Sequence, residues 1–146
     1  GVGGLKDERL GQHNLSLSLG YAQEETLTVA QLLLGGVLDR HPTLDVCVSH
    51  GGGAAAFLAE KMDQLAQVDP AASESVKRNG FGHELQNLWF DTHVKGELAA
   101  AALRHYAHED KLVLGTNLGG FDTPEALSAD AARLSQNARR LLRLPC

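Results

Sequence analysis

Leu44-Asp45-Val46-Cys47-Val48-Ser49-His50-Gly51-Gly52-Gly53 decides how the rest of this chain is read. The first half is short and rich in β-branched residues, the pattern of a buried strand, and three glycines punctuate its end. Upstream, over residues 25–39, Leu27, Val29, Ala30, Leu33, Leu34, Val37 and Leu38 recur at helical spacing, and His41-Pro42 stops the helix. Downstream, over residues 54–68, Phe57, Leu58, Met62, Leu65 and Ala66 return to the same period. A helix, a strand and a helix joined by a triple glycine predict a parallel sheet with crossover helices on its faces.

The remaining chain repeats the passage. Residues 69–82 are polar, with Pro, Ser and Gly, and read as a long surface loop. A short helix over 83–87 leads to a second strand, Leu88-Trp89-Phe90-Asp91-Thr92, and an Ala-rich helix follows over 97–107. Lys111-Leu112-Val113-Leu114-Gly115-Thr116 is the third strand. After a Gly-rich loop over 117–121, Thr123-Pro124-Glu125 supplies a helix start. A terminal helix over 130–142 turns Ala132, Leu134, Ala138, Leu141 and Leu142 inward. Residues 1–20 form an irregular lead-in.

Composition bounds the answer. With 146 residues, 43% hydrophobic and 21% charged, the chain is a single globular unit. A closed (β/α)8 barrel takes about 250 residues, so barrel-like units here amount to part of one, about three βα units in a single partial domain over 1–146. No apolar run reaches the roughly 18 residues of a membrane span. Thirteen basic and eighteen acidic residues give a net charge of −5, and the only basic cluster is Arg139, Arg140 and Arg143, which disfavours nucleic acid. The opening Gly1-Val2-Gly3-Gly4 has no secretory pattern and reads as an excerpt; Cys47 and Cys146 make neither a disulfide framework nor a zinc spacing, so a reducing cytoplasm is expected.

In parallel α/β folds the strand ends carry the site. His50 stands where an apolar strand stops, and the glycines after it leave its imidazole uncovered for proton transfer or ligation. A turn histidine with glycines chosen for close packing is the plainer reading. Asp91 and His93 alternate along their strand and share a face. Asn117 offers a neutral oxygen, a weak ligand beside a carboxylate. Asp122 reads as a helix cap, His105 and His108 as solvated histidines near a helix end, His41 as a turn residue and His13 as isolated. The chain has no HxH, HExxH, CxxC, GxSxG or P-loop.

From Gly20 to Phe121 the chain resembles the C-terminal half of the amidohydrolase-related family that includes aminocarboxymuconate semialdehyde decarboxylase and γ-resorcylate decarboxylase. The resemblance rests on Glu25-Thr26, on Leu34-Gly35-Gly36-Val37-Leu38-Asp39-Arg40-His41-Pro42, on Val48-Ser49-His50-Gly51-Gly52-Gly53, on Phe90-Asp91-Thr92 and on Leu114-Gly115-Thr116-Asn117. It implies the C-terminal part of a metal-dependent TIM barrel acting as a decarboxylase or hydrolase on a small carboxylated aromatic or unsaturated molecule, with a divalent ion, zinc or manganese, in the full-length parent. It further implies that His50 is the acid/base or substrate-orienting residue and that Asn117 stands where the family places a metal-binding aspartate. Lys61, His93, Gly51 and Gly52 then fall to substrate binding. A homo-oligomer, or a non-catalytic module packing on a partner or on itself, is the alternative that Asn117 and the missing HxH leave open.

Overall fold

The computed structural model describes residues 7–120, 122–124, 126–127 and 129–145. Three strands, β1 (Cys47–Val48), β2 (Trp89–Asp91) and β3 (Leu112–Val113), form one parallel sheet in the order β1-β2-β3. Strands that follow one another in the chain are thus neighbours in space, and each pair is joined through helices, as parallel pairing demands.

The register sorts the side chains. Val48 pairs with Phe90 and Phe90 with Leu112, so these three share one face. They are buried with Val29 and Leu33 of α1 (Tyr21–Leu34) and with Leu85, Leu103 and Leu134. Each such side chain contributes roughly 1.5–3 kcal/mol when fully buried. Alternation sends Asp45, Cys47, Trp89, Asp91, Lys111 and Val113 to the opposite face, which is largely polar. There Cys47 is exposed, against the expectation of a strand buried throughout. Trp89 is shielded on that face by Lys111 Nζ, 5.9 Å from its ring centroid, while its Nε1 donates to Asp45 Oδ1 at 3.0 Å. One face packed on helices and one polar face is the pattern of strands whose second face lines an interior.

The helix over 25–39 divides. α1 ends at Leu34, Gly35 and Gly36 turn the chain, and α2 (Val37–Arg40) completes it. The helix after β1 begins late, as α3 (Ala59–Ala66), because residues 53–58 are used to lay the loop on α1. Gly53 has φ +63°, and a Cβ there would lie 2.2 Å from the Ala22 carbonyl oxygen. Next to it Ala54 N donates to Thr26 Oγ1 at 2.8 Å, and that hydroxyl donates to Ala22 O at 2.6 Å.

Residues 69–82 are not a surface loop. Ser73 Oγ accepts from the amides of Ser75 and Val76 and so caps α4 (Glu74–Asn79), which runs directly into α5 (Phe81–Glu84). Val76 and Phe81 are fully buried, and Phe81 N donates to Asp63 Oδ1 at 2.9 Å. α6 (Glu97–Tyr106) and α7 (Ala131–Leu141) lie where expected. On α7 the inward residues are Leu134 and Asn137, whereas Ala132 and Leu142 are exposed. The buried Asn137 Nδ2 donates to the carbonyls of Glu109 (3.0 Å) and Leu112 (2.8 Å), tying α7 to the start of β3. The helix start expected at Thr123-Pro124-Glu125 falls partly outside the described residues, as does Cys146; among the described residues 122–124 and 126–127 no helix forms. No helix among the described residues is long and apolar enough to cross a membrane.

Candidate active site

The sheet directs three strand ends into one cavity of about 630 Å³, lined among others by Tyr21, Glu25, His50, His93, Lys95 and Asn117. That volume suits a small organic ligand. The first contributor is the turn after β1. His50 takes φ +47° and ψ +37°, a left-handed conformation that non-glycine residues adopt at a cost and that clusters at functional sites.

Glu25 of α1 fixes that turn. Its Oε1 accepts from Ser49 Oγ at 2.7 Å and from His50 Nδ1 at 2.6 Å. The second oxygen, Oε2, is buried and has no hydrogen-bond partner among the described residues. Burial works against the charged imidazolium of His50. The hydrogen bond and charge of Glu25, with the carboxylates of Asp91 and Asp122 behind it, outweigh this and raise the His50 pKa above its ordinary value. With Nδ1 committed to Glu25, Nε2 is the nitrogen left to meet a ligand.

The second strand end delivers Asp91 and His93 on one face, as their alternation predicts. Burial pushes the Asp91 carboxyl up, opposed by backbone amides of His93 and Gly51 and by the charges of the two histidines. His93 is buried, and its Nε2 lies 2.9 Å from Asp122 Oδ2. Its ring stands edge-on to that of His50, at 5.4 Å between centroids and 63° between planes.

The third strand end supplies Asn117 and Asp122. Asn117 Nδ2 donates to Asp122 Oδ1 at 2.6 Å. That hydrogen bond leads in holding the Asp122 carboxyl below the usual carboxylate range; burial opposes it, and His93 and Lys95 add to it. Lys95 Nζ also donates to the Asp122 carbonyl at 3.2 Å.

Of the residues expected at the site, His50, His93 and Asn117 come together and three others do not. Lys61 is exposed on α3 and does not line the cavity, and the lysine at the cavity is Lys95. Gly51 and Gly52 are buried toward the core, where an added Cβ would lie 2.6 Å from Val94 Cγ2 and 2.9 Å from Phe90 Cε1 respectively. They pack closely and seat the turn, while Gly53 is the one of the three that lines the cavity. Asp122 is not a helix cap but a member of the cluster, and Glu25, quoted in the sequence without a role, is the partner of His50. His105 packs edge-on against Tyr106.

Metal dependence is general among amidohydrolases. The donors among the described residues do not fit a divalent ion by themselves. No group of three His, Cys, Asp or Glu side chains among the described residues is placed to hold one. Asn117, in the expected ligand position, turns its amide nitrogen to Asp122, whose two oxygens are taken by Asn117 and His93.

A family model described as Amidohydrolase matches residues 7–144. A 2-amino-3-carboxymuconate-6-semialdehyde decarboxylase of Dictyostelium discoideum is 29% identical over 110 residues, covering 75% of this chain and 31% of that protein. Among solved structures, IDCase of Metarhizium anisopliae in its apo form is 25% identical with a TM-score of 0.71, over 90% of this chain and 42% of that one. 5-Carboxyvanillate decarboxylase LigW of Sphingomonas paucimobilis, 18% identical with a TM-score of 0.68 over 96% of this chain and 46% of that one, shares the fold. The chain therefore spans about a third of its curated relative and less than half of these solved chains.

Proposed function

The chain belongs to the amidohydrolase family, and on that premise we propose that it supplies part of the active site of a carboxy-lyase for a small carboxylated aromatic or unsaturated molecule, with His50 as the proton-transfer residue. The observation that carries this reading is the Glu25–His50 pair, in which a carboxylate takes Nδ1 at 2.6 Å and favours the imidazolium, leaving Nε2 to the cavity. In decarboxylation the bond from carbon to the carboxylate breaks, CO2 leaves, and the proton of the His50 imidazolium ends on that carbon. The name of the Dictyostelium relative supports a decarboxylase over a hydrolase. The divalent ion expected for the family, zinc or manganese, would need ligands beyond those the described residues offer.

The test is CO2 release from a panel of aromatic and unsaturated carboxylates by the wild-type protein and by His50→Gln. General acid catalysis accounts for about 10²–10⁴-fold, so a loss of that order is expected. Turnover within a factor of a few of wild type would remove His50 from the mechanism. A second reading, a non-catalytic module packing on a partner or on a second copy, is favoured by the neutral amide at Asn117 and by the exposed Cys47 on the polar sheet face. A discrete oligomer in light scattering, with no turnover on the panel, is the result that would select it.

A further inference from the structure

Asp122 has both carboxylate oxygens engaged although it sits in a short glycine-rich loop. The loop closes on itself, because Gly120 N and Thr123 Oγ1 both donate to the Asn117 carbonyl at 2.7 Å. That closure brings Asp122 back over Asn117, five residues earlier, where Nδ2 meets Oδ1 at 2.6 Å. The other oxygen, Oδ2, takes Nε2 of the buried His93 at 2.9 Å, and the His93 ring stands edge-on to His50. A helix cap does not account for this, since residues 122–124 are not helical and the next helix among the described residues, α7, begins at Ala131 with Asp130 at its N-cap.

We infer that Asn117, Asp122 and His93 act as one positioning unit for His50: the amide of Asn117 holds the Asp122 carboxylate, Asp122 holds the His93 ring, and that ring fixes the His50 imidazole that Glu25 anchors at Nδ1. The inference rests on the reading of His50 as the proton-transfer residue. It gives the amide at Asn117 a positive role. A carboxylate there would face a second carboxylate at hydrogen-bonding distance, and like charges so close cannot both stay ionised. The anion at this strand end is carried by Asp122, and an uncharged donor beneath it is what lets it turn to His93. Orientation matters at this level because misplacement of a reacting group by about 1 Å costs on the order of a hundredfold in rate.

The unit is tested by a charge swap. Asn117→Asp sets two carboxylates together, Asp122→Ala removes the link, and Asn117→Asp combined with Asp122→Asn restores one donor and one carboxylate with their places exchanged. Ring-nitrogen NMR of the 146-residue chain, in the presence of a chelator, reads the His93 tautomer and the cross-peaks between the two histidine rings. Circular dichroism checks that each variant is folded. The wild type is expected to show a single Nε2–H tautomer at His93 and clear ring-to-ring cross-peaks. Both features are lost in Asn117→Asp and in Asp122→Ala and regained in the swapped pair. Where turnover is measured, kcat falls about a hundredfold in the single variants with little change in KM, and returns in the swap. An Asp122→Ala spectrum identical to wild type, or a swapped pair no better than Asn117→Asp alone, would overturn the inference. The NMR arm stands whether or not CO2 release is found, so failure of the decarboxylase reading and failure of the positioning unit give different results.

Discussion

The seat of the β1 turn on α1 makes a quantitative prediction for Gly53→Ala, with Gly96→Ala as its control. Both glycines have positive φ, +63° and +95°, so alanine at either pays a backbone penalty of about 1–3 kcal/mol. At Gly96 nothing lies within 4 Å of an added Cβ, and the penalty ends there. At Gly53 the Cβ lies 2.2 Å from Ala22 O, more than an ångström short of ordinary contact with backbone that cannot rotate away, and 2.7 Å from the Thr26 hydroxyl. The turn must lift off α1. Overpacking of this kind costs about 1–3 kcal/mol, and the Ala54 amide loses its 2.8 Å bond to Thr26 Oγ1, worth about 0.5–1.5 kcal/mol. Gly53→Ala is therefore expected to be less stable than Gly96→Ala by about 3 kcal/mol, a large share of the 5–15 kcal/mol typical of a domain. Urea denaturation followed by circular dichroism at 25 °C measures the difference directly. Equal midpoints and slopes for the two variants would mean that the turn does not rest on α1, and the Glu25–His50 contact would lose its structural support.

Two further outcomes follow from the same contacts. His50 faces the carboxylates of Glu25, Asp91 and Asp122 and the ring of His93, and its pKa is raised; its contribution to stability is fully present below the ordinary value of 6.5 and is lost as pH rises through the raised folded value. Glu25→Gln should move the NMR midpoint of His50 downward and flatten the dependence of stability on pH in that window, and an unmoved midpoint would exclude Glu25 as the cause. Asn137→Leu strips the carbonyls of Glu109 and Leu112 of their buried donor, and a loss of about 1–3 kcal/mol with unchanged urea slope is expected; a midpoint equal to wild type would show that the amide does not tie α7 to β3.

The kinds and order of the strands were legible because β-branched runs ending in glycine or polar residues have few other uses. Their lengths were not, since pairing over Cys47–Val48 is decided by where β2 lies and not by residues 44–49. Residues 69–82 misled for a different reason. An amphipathic helix of six residues shows one buried side chain, Val76, and its cap, Ser73, looks like any loop serine until the amides it receives are seen. His50, His93 and Asn117 could be found because each sits at a strand end, where topology alone gathers side chains. Glu25 and Asp122 could not be found that way, because the first reaches His50 only through helix docking and the second through a loop that folds back. Lys61 and Lys95 traded places as the cavity lysine since the α3 face that carries Lys61 points to solvent.

The brevity of the outer strands also bears on how copies of the chain meet in solution. β1 and β3 each pair over two residues, so among the described residues the outer edges of the sheet offer a template too short to recruit an added strand firmly. Most apolar strand residues point into the helices, which leaves the other face of the sheet to groups such as Cys47, Asp45 and Lys111. Concentrated solutions of the 146-residue chain should therefore resist fibrillar growth through the sheet.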